Sequence, residues 1–154
     1  MRAVLQRVSQ AEVCVEGRTV GACGAGLMIL LGVSQGDCEA DADALVRKIA
    51  ALRIFCDEEG KLNRSVRDVD GEALVVSNFT LMANYKKGNR PDYMGAAAPQ
   101  IAKELYEYFC MKLAEELRHV GRGEFGAHME IRLCADGPVT IVMESDVLLG
   151  KKKE

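Results

Sequence analysis

The stretch Gly26-Leu27-Met28-Ile29-Leu30-Leu31-Gly32 decides the fold. Five consecutive apolar residues between glycines are too few for a stable helix and leave no side for solvent, so they read as a strand buried on both faces. Such a strand needs cover above and below, and the flanking sequence supplies it. Upstream, Val4, Gln6 and Val8 alternate, as do Val13 and Val15, and Glu16-Gly17-Arg18 is a turn leading into Thr19-Val20. Downstream the period changes: Ala42, Leu45, Val46, Ile49 and Leu52 fall at helical spacing and predict a helix over residues 38–55 with Asp37 as its N-cap. Asp57-Glu58-Glu59-Gly60 reads as a solvated turn. Residues 71–82 form another apolar strand, and residues 83–98 a polar, glycine-containing loop long enough to carry function. Pro99 suits the first turn of a second helix, which presents Ile101, Leu105, Tyr108, Phe109, Lys112, Leu113 and Leu117 on one face, runs to about residue 120 and is stopped by Gly121. Two last strands, 129–133 and 139–143, flank Ala135-Asp136-Gly137-Pro138. The order strands, helix, strands, helix, strands predicts one α/β (α+β) domain over residues 1–150 with mixed strand pairing, and Lys151-Lys152-Lys153-Glu154 as a frayed basic tail.

The longest apolar run, residues 27–31 with Val33 beyond, falls short of the roughly 20 residues of a membrane span. The opening Met1-Arg2-Ala3-Val4-Leu5-Gln6-Arg7 alternates instead of forming the apolar core of a signal peptide, so a cytoplasmic protein is expected. Six cysteines (Cys14, Cys23, Cys38, Cys56, Cys110, Cys134) show no C-x-x-C pair and no histidine at zinc-ligand spacing, and read as small buried hydrophobes; no metal or cofactor is expected. The formal net charge of −3 argues against a general nucleic-acid coat but not against a local basic patch.

Of the two histidines, His119 falls near a helix C-terminus, where a cation is favoured without any chemistry, and His128 leads into a strand. No G-x-S-x-G elbow, P-loop or dinucleotide fingerprint occurs. Two short segments remain. Ser77-Asn78-Phe79-Thr80-Leu81 ends a buried strand, where it is either a strand end with satisfied hydroxyls or a place where backbone N–H groups turn outward to hold an oxyanion. Asp136-Gly137-Pro138-Val139-Thr140 is either a plain hairpin turn or, if Gly-Pro is cis, a stiff fixture for two carbonyl oxygens.

Taken together these segments resemble the signatures of the D-aminoacyl-tRNA deacylase family, a Ser-Gln-Phe-Thr-Leu stretch and an Asn-x-Gly-Pro-x-Thr stretch. The likeness extends to Met1-Arg2-Ala3-Val4-Leu5-Gln6-Arg7-Val8, Leu52-Arg53-Ile54-Phe55, Lys86-Lys87-Gly88-Asn89-Arg90-Pro91 and Gly123-Glu124-Phe125-Gly126-Ala127-His128-Met129. Two positions depart from it: Asn78 stands where the family usually has Gln, and Ala135 where it usually has Asn. The shorter Asn78 puts contacts through that side chain in question, and Ala135 loses a group that could brace the Gly-Pro turn.

The resemblance implies a compact, barrel-like mixed sheet with two main helices, and hydrolysis of the ester bond of D-aminoacyl-tRNA, and of mischarged glycyl-tRNA, as translation proofreading. It further implies a homodimer in which Gly137 and Pro138 of one subunit enter the active site of the other, their cis peptide aiming carbonyls at the α-amino group. An L side chain is then rejected sterically. Ser77, Asn78, Phe79 and Thr80 become the catalytic segment, with Thr80 as a hydrogen-bonding organiser; Arg7, Phe125 and Met129 line or support the pocket; Lys86, Lys87 and Arg90 hold tRNA phosphates. The competing readings are a nucleic-acid-binding module of the same fold without catalysis, and a general esterase using a Ser or Cys with His128.

Overall fold

The computed structural model describes residues 1–151; the rest of the expected basic tail lies outside the described residues. β1 (Arg2–Val15) is one continuous strand. After a turn with Glu16 and Gly17 at positive φ, β2 (Arg18–Cys23) folds back on its second half, and β3 (Gly26–Gly32) on its first half. α1 (Glu39–Ala51), the short pair β4 (Phe55–Cys56) and β5 (Leu62–Arg64), and β6 (Glu72–Ser77) follow. A 3₁₀ turn (Phe79–Met82), α2 (Pro99–Glu116), β7 (Val120–Arg122), β8 (Glu130–Glu144) and α3 (Ser145–Leu149) complete the order.

The main sheet runs β2-β1-β3-β6-β7, with β8 on the other edge of β1. β3, β6 and β7 are parallel, because α1 and α2 provide the crossovers, and the remaining pairings are antiparallel. The sheet curls until β7 meets β2: a Cβ on Gly21 would overlap the Arg122 carbonyl, and one on Gly121 the Ala22 carbonyl. Only glycine lets these backbones touch and nearly close a barrel.

β3 is buried on both faces, as its composition predicts. Leu27, Ile29 and Leu31 join the core beneath the helices with Leu45, Ile49, Phe109 and Leu113. Met28 turns to the barrel interior with Val8, Val13, Leu74 and Val76. Burial at roughly 25 cal/mol per Å² of apolar area makes these two layers the main source of stability.

Several expectations are corrected. Cys38, not Asp37, caps α1: Asp41 Oδ2 accepts from the Cys38 N–H at 3.0 Å. Asp37 lies outside the helix and accepts from the Ser34 N–H at 2.6 Å and the Met1 amino group at 2.7 Å. The helix stops at residue 51, because extended Leu52 leads to Phe55–Cys56, which pair with β5. α2 ends at Glu116, since residues 120–122 are drawn into the sheet beside β6. Its core face is Ala102, Leu105, Tyr106, Phe109, Cys110 and Leu113, whereas Ile101 is half exposed. Cys14, Cys23 and Cys110 are buried as expected; Cys38, Cys56 and Cys134 are exposed. Lys151 is not frayed: its Nζ donates to both carboxylate oxygens of buried Asp41 at 2.7 and 2.9 Å. Among the described residues no helix is long and apolar enough to cross a membrane.

The largest correction concerns residues 129–143. They are not a hairpin but a single long strand antiparallel to the whole of β1. Register runs Gln6↔Thr140 and then Val8↔Ala135, so residues 136–139 bulge outward opposite Arg7. Both halves bond the same neighbour in the same direction, so the chain never reverses.

Candidate active site

β6 delivers Ser77 to the edge of the sheet, and the chain then tightens into the Phe79–Met82 turn. Asn78 N–H donates to Leu31 O at 2.8 Å, and Arg2 Nη1 to Leu81 O at 2.6 Å. Gly32 lets the turn approach: a Cβ there would lie 2.7 Å from Met82 Cε and 3.0 Å from Asn78 O. Asn78 is the cap. Its Oδ1 accepts from Thr80 N–H at 3.1 Å and from the Thr80 hydroxyl. The shortened amide therefore has a firm local role, and it leaves Thr80 Oγ1 with its lone pairs free to accept. Phe79 N–H heads the turn and has no acceptor within it.

These residues form one wall of a cavity of about 620 Å³. Val76, Ser77, Asn78, Phe79 and Thr80 face Phe125, Gly126, His128 and Met129 across it. The opposite wall is held by Tyr106, whose hydroxyl donates to Val75 O at 2.9 Å and whose ring lies 6.0 Å from that of Phe125. Burial pushes the Tyr106 phenol well above its ordinary range, so it stays a neutral donor. Among the described residues no Asp, Glu, Lys or Arg lines the cavity. His128 also lines it, and among the described residues no hydrogen bond joins it to Ser77 or Thr80. What the cavity offers is apolar volume, the Phe79 N–H at the head of the turn, and one oriented hydroxyl.

The 136–139 bulge lies elsewhere on this chain and does not line that cavity. Gly137-Pro138 is cis, and Gly137 has φ 129°. Arg7 is buried behind the bulge: Nε donates to Asp136 O at 3.1 Å and approaches Asp136 Oδ2 at 3.2 Å, while Nη1 donates to Ile54 O at 2.8 Å. Thr140 Oγ1 donates to Gln6 Oε1 at 2.6 Å on the far side. Arg7 and Asp136 thus supply the brace that Ala135 cannot. Arg7 supports the bulge and does not line the cavity, whereas Phe125 and Met129 do line it.

Lys86, Lys87 and Arg90 sit on an exposed loop that leaves directly from the Phe79–Met82 turn. None of the three forms an ion pair among the described residues.

Comparisons with known proteins agree with this architecture. The family model described as D-Tyr-tRNA(Tyr) deacylase matches residues 4–144. A D-aminoacyl-tRNA deacylase of Roseiflexus castenholzii is 54% identical over 147 residues, covering 96% of this chain and 94% of that protein. One of Cereibacter sphaeroides is also 54% identical, covering 94% of this chain and 100% of its own. Among solved structures, the c-Myc DNA Unwinding Element Binding Protein superposes with a TM-score of 0.89 at 42% identity, covering 94% of this chain and 98% of the other.

Proposed function

The chain belongs to the D-Tyr-tRNA(Tyr) deacylase family, and from that premise we propose that it hydrolyses the ester linking a D-amino acid to tRNA, and that of glycyl-tRNA, as a proofreading homodimer. The observation that carries this reading is the pairing of the Phe79 N–H at the head of the turn and the oriented Thr80 hydroxyl with a cavity that, among the described residues, no Asp, Glu, Lys or Arg lines. An aminoacyl ester is already activated, so positioning and oxyanion stabilisation suffice, and acid–base side chains are dispensable.

In this account the ester carbonyl docks on Phe79 N–H, with Thr80 N–H as a second donor shared with Asn78 Oδ1. Thr80 Oγ1, its proton committed to Asn78, accepts from the attacking water. The neighbouring ribose hydroxyl helps to activate that water. As the tetrahedral centre forms, charge collects on the former carbonyl oxygen and is held by the N–H donors; collapse expels the ribose oxygen and frees the amino acid.

Chirality needs a second fixed point. Gly137 and Pro138 of the partner subunit supply it: their carbonyls, on a bulge stiffened by Arg7, hold the α-ammonium. With carbonyl and ammonium both pinned, a D side chain points to solvent and an L side chain meets backbone, while glycine has nothing to clash. Support for the pairing of subunits comes from β8. It is an edge strand of 15 residues with Leu133 and Val142 exposed, a surface that native proteins normally cover.

Incubating the protein with D-aminoacyl-tRNA, glycyl-tRNA and L-aminoacyl-tRNA and following ester loss tests the function. Hydrolysis of the first two but not the third is expected. Equal loss of L-esters would indicate a general esterase; loss of none would leave a nucleic-acid-binding module.

A further inference from the structure

The loop after the site carries side chains that the deacylase chemistry does not use. Its neck is rigid. Asn84 and Asp92 exchange main-chain hydrogen bonds at 2.8 and 2.9 Å, and Asn84 Nδ2 donates to Asp92 Oδ2 at 2.9 Å. The returning strand is stapled to the β3–α1 connection through Gln35, whose N–H donates to Gly95 O at 2.9 Å and whose Nε2 donates to Met94 O at 2.6 Å. Beyond this neck Tyr85 is 80% exposed, and Met94 at its foot is 78% exposed. A tyrosine ring that bare, on a braced scaffold, is a surface waiting for a flat partner.

Two further features say which partner. Lys86, Lys87 and Arg90 follow Tyr85 on the same exposed loop, and the one carboxylate between residues 79 and 98, Asp92, is spent on Asn84 and the Met94 N–H. A cationic tip on a chain of net charge −3 is complementary to phosphate. Aromatic continuity leads from the tip to the cavity: Tyr93, next to the neck, packs edge-on against Phe79 of the cavity wall, with ring centroids 5.1 Å apart at 76°. A duplex offers this tip phosphates and 2′-hydroxyls but keeps its base faces stacked, whereas an unpaired strand offers base faces as well, and exposed rings beside cations are how proteins hold single strands.

We propose that the 84–92 tip is a stacking platform for the unpaired 3′-terminal nucleotides of tRNA, with Tyr85 carrying a base and Lys86, Lys87 and Arg90 the flanking phosphates. The assignment rests on the deacylase reading only for the identity of the RNA. Its role is to lead the strand past Phe79, so that the terminal ester reaches the cavity.

The test uses uncharged RNA, so it does not depend on hydrolysis. The chain has no tryptophan, so Tyr85→Trp creates a single fluorescent reporter on a residue too exposed to affect folding. Titration with an RNA hairpin bearing a single-stranded CCA end is expected to quench it, and the same hairpin with a blunt end to leave it unquenched. The original protein should bind the overhanging hairpin about tenfold more tightly than the blunt one, a preference kept by Tyr85→Phe and lost by Tyr85→Leu. Equal affinity for the two hairpins, binding of neither, or an unchanged preference in Tyr85→Leu would overturn the proposal. Failure of the deacylase reading would appear separately, as D-aminoacyl-tRNA esters that survive incubation.

Discussion

In the proposed mechanism Thr80 acts as an acceptor, because its hydroxyl proton is committed to Asn78. Thr80→Ser keeps that geometry and is expected to retain most activity. Thr80→Val removes one charge-sensitive hydrogen bond and should lower kcat/KM about 10- to 100-fold, read in a D-aminoacyl-tRNA hydrolysis assay. Gly137 is constrained differently: an added Cβ would lie 2.8 Å from Val139 N and 3.3 Å from Arg7 Nη2, in a conformation of φ 129° that side chains rarely adopt. Gly137→Ala should therefore cost about tenfold or more in hydrolysis and also lower the melting temperature by about 3 °C or more, since the backbone strain is carried by the folded state. Legibility at this scale was uneven. Ser77, Asn78, Phe79 and Thr80 could be singled out from their place at a strand end, and the structure does bring them together. The cap formed by Asn78 could not, since an amide two residues before a threonine orients it only when the backbone between them turns back on itself, as the 3₁₀ turn does here. Arg7 was legible only through resemblance; nothing in the spacing of a strand residue and an aspartate 129 positions later announces contact.

Between residue and molecule, the elements that matter are those that hold the cavity open. Tyr106 joins α2 to β6 and to the 123–129 segment. Tyr106→Phe should lower stability by about 1 kcal/mol, a shift of about 3 °C in melting temperature by calorimetry. Gly32→Val would drive side-chain atoms into Met82 and the Asn78 carbonyl, and should depress hydrolysis more than it depresses stability. β3 and the helical periods of α1 and α2 were readable because burial on two faces and a repeat of about 3.6 residues leave direct marks in the sequence. Helix ends were not, since Phe55 and Val120 are taken by strand partners distant in sequence. The Asp-Gly-Pro segment misled for a related reason. The same residues make a hairpin or a bulge, and the choice belongs to β1, which offers a continuous edge to both halves of β8.

For the molecule as a whole, one buried polar cluster ties the chain's two ends to α1. Asp41 is fully buried, and burial alone would raise its carboxyl; hydrogen bonds from Lys151, the Cys38 N–H and Ser145 outweigh that and hold it well below the ordinary aspartate range. Because the folded value is depressed, the stabilisation is present above the unfolded value and is lost as pH falls towards the folded one. Asp41→Asn should therefore cost about 2 kcal/mol at pH 7, and the gap in melting temperature between the two proteins should narrow below about pH 4. At the same scale lies the claim on which the function turns, that each active site is built from two subunits. Thr80→Val and Gly137→Val proteins, each expected to keep at most about a tenth of the original activity as a homodimer, can be mixed under conditions that exchange subunits, and D-aminoacyl-tRNA hydrolysis followed. A heterodimer then holds one site with both intact residues, so activity should return to about a quarter of that of the original protein after equal mixing. If exchange is complete and no activity returns, Thr80 and Gly137 do not meet across an interface, and the account is wrong.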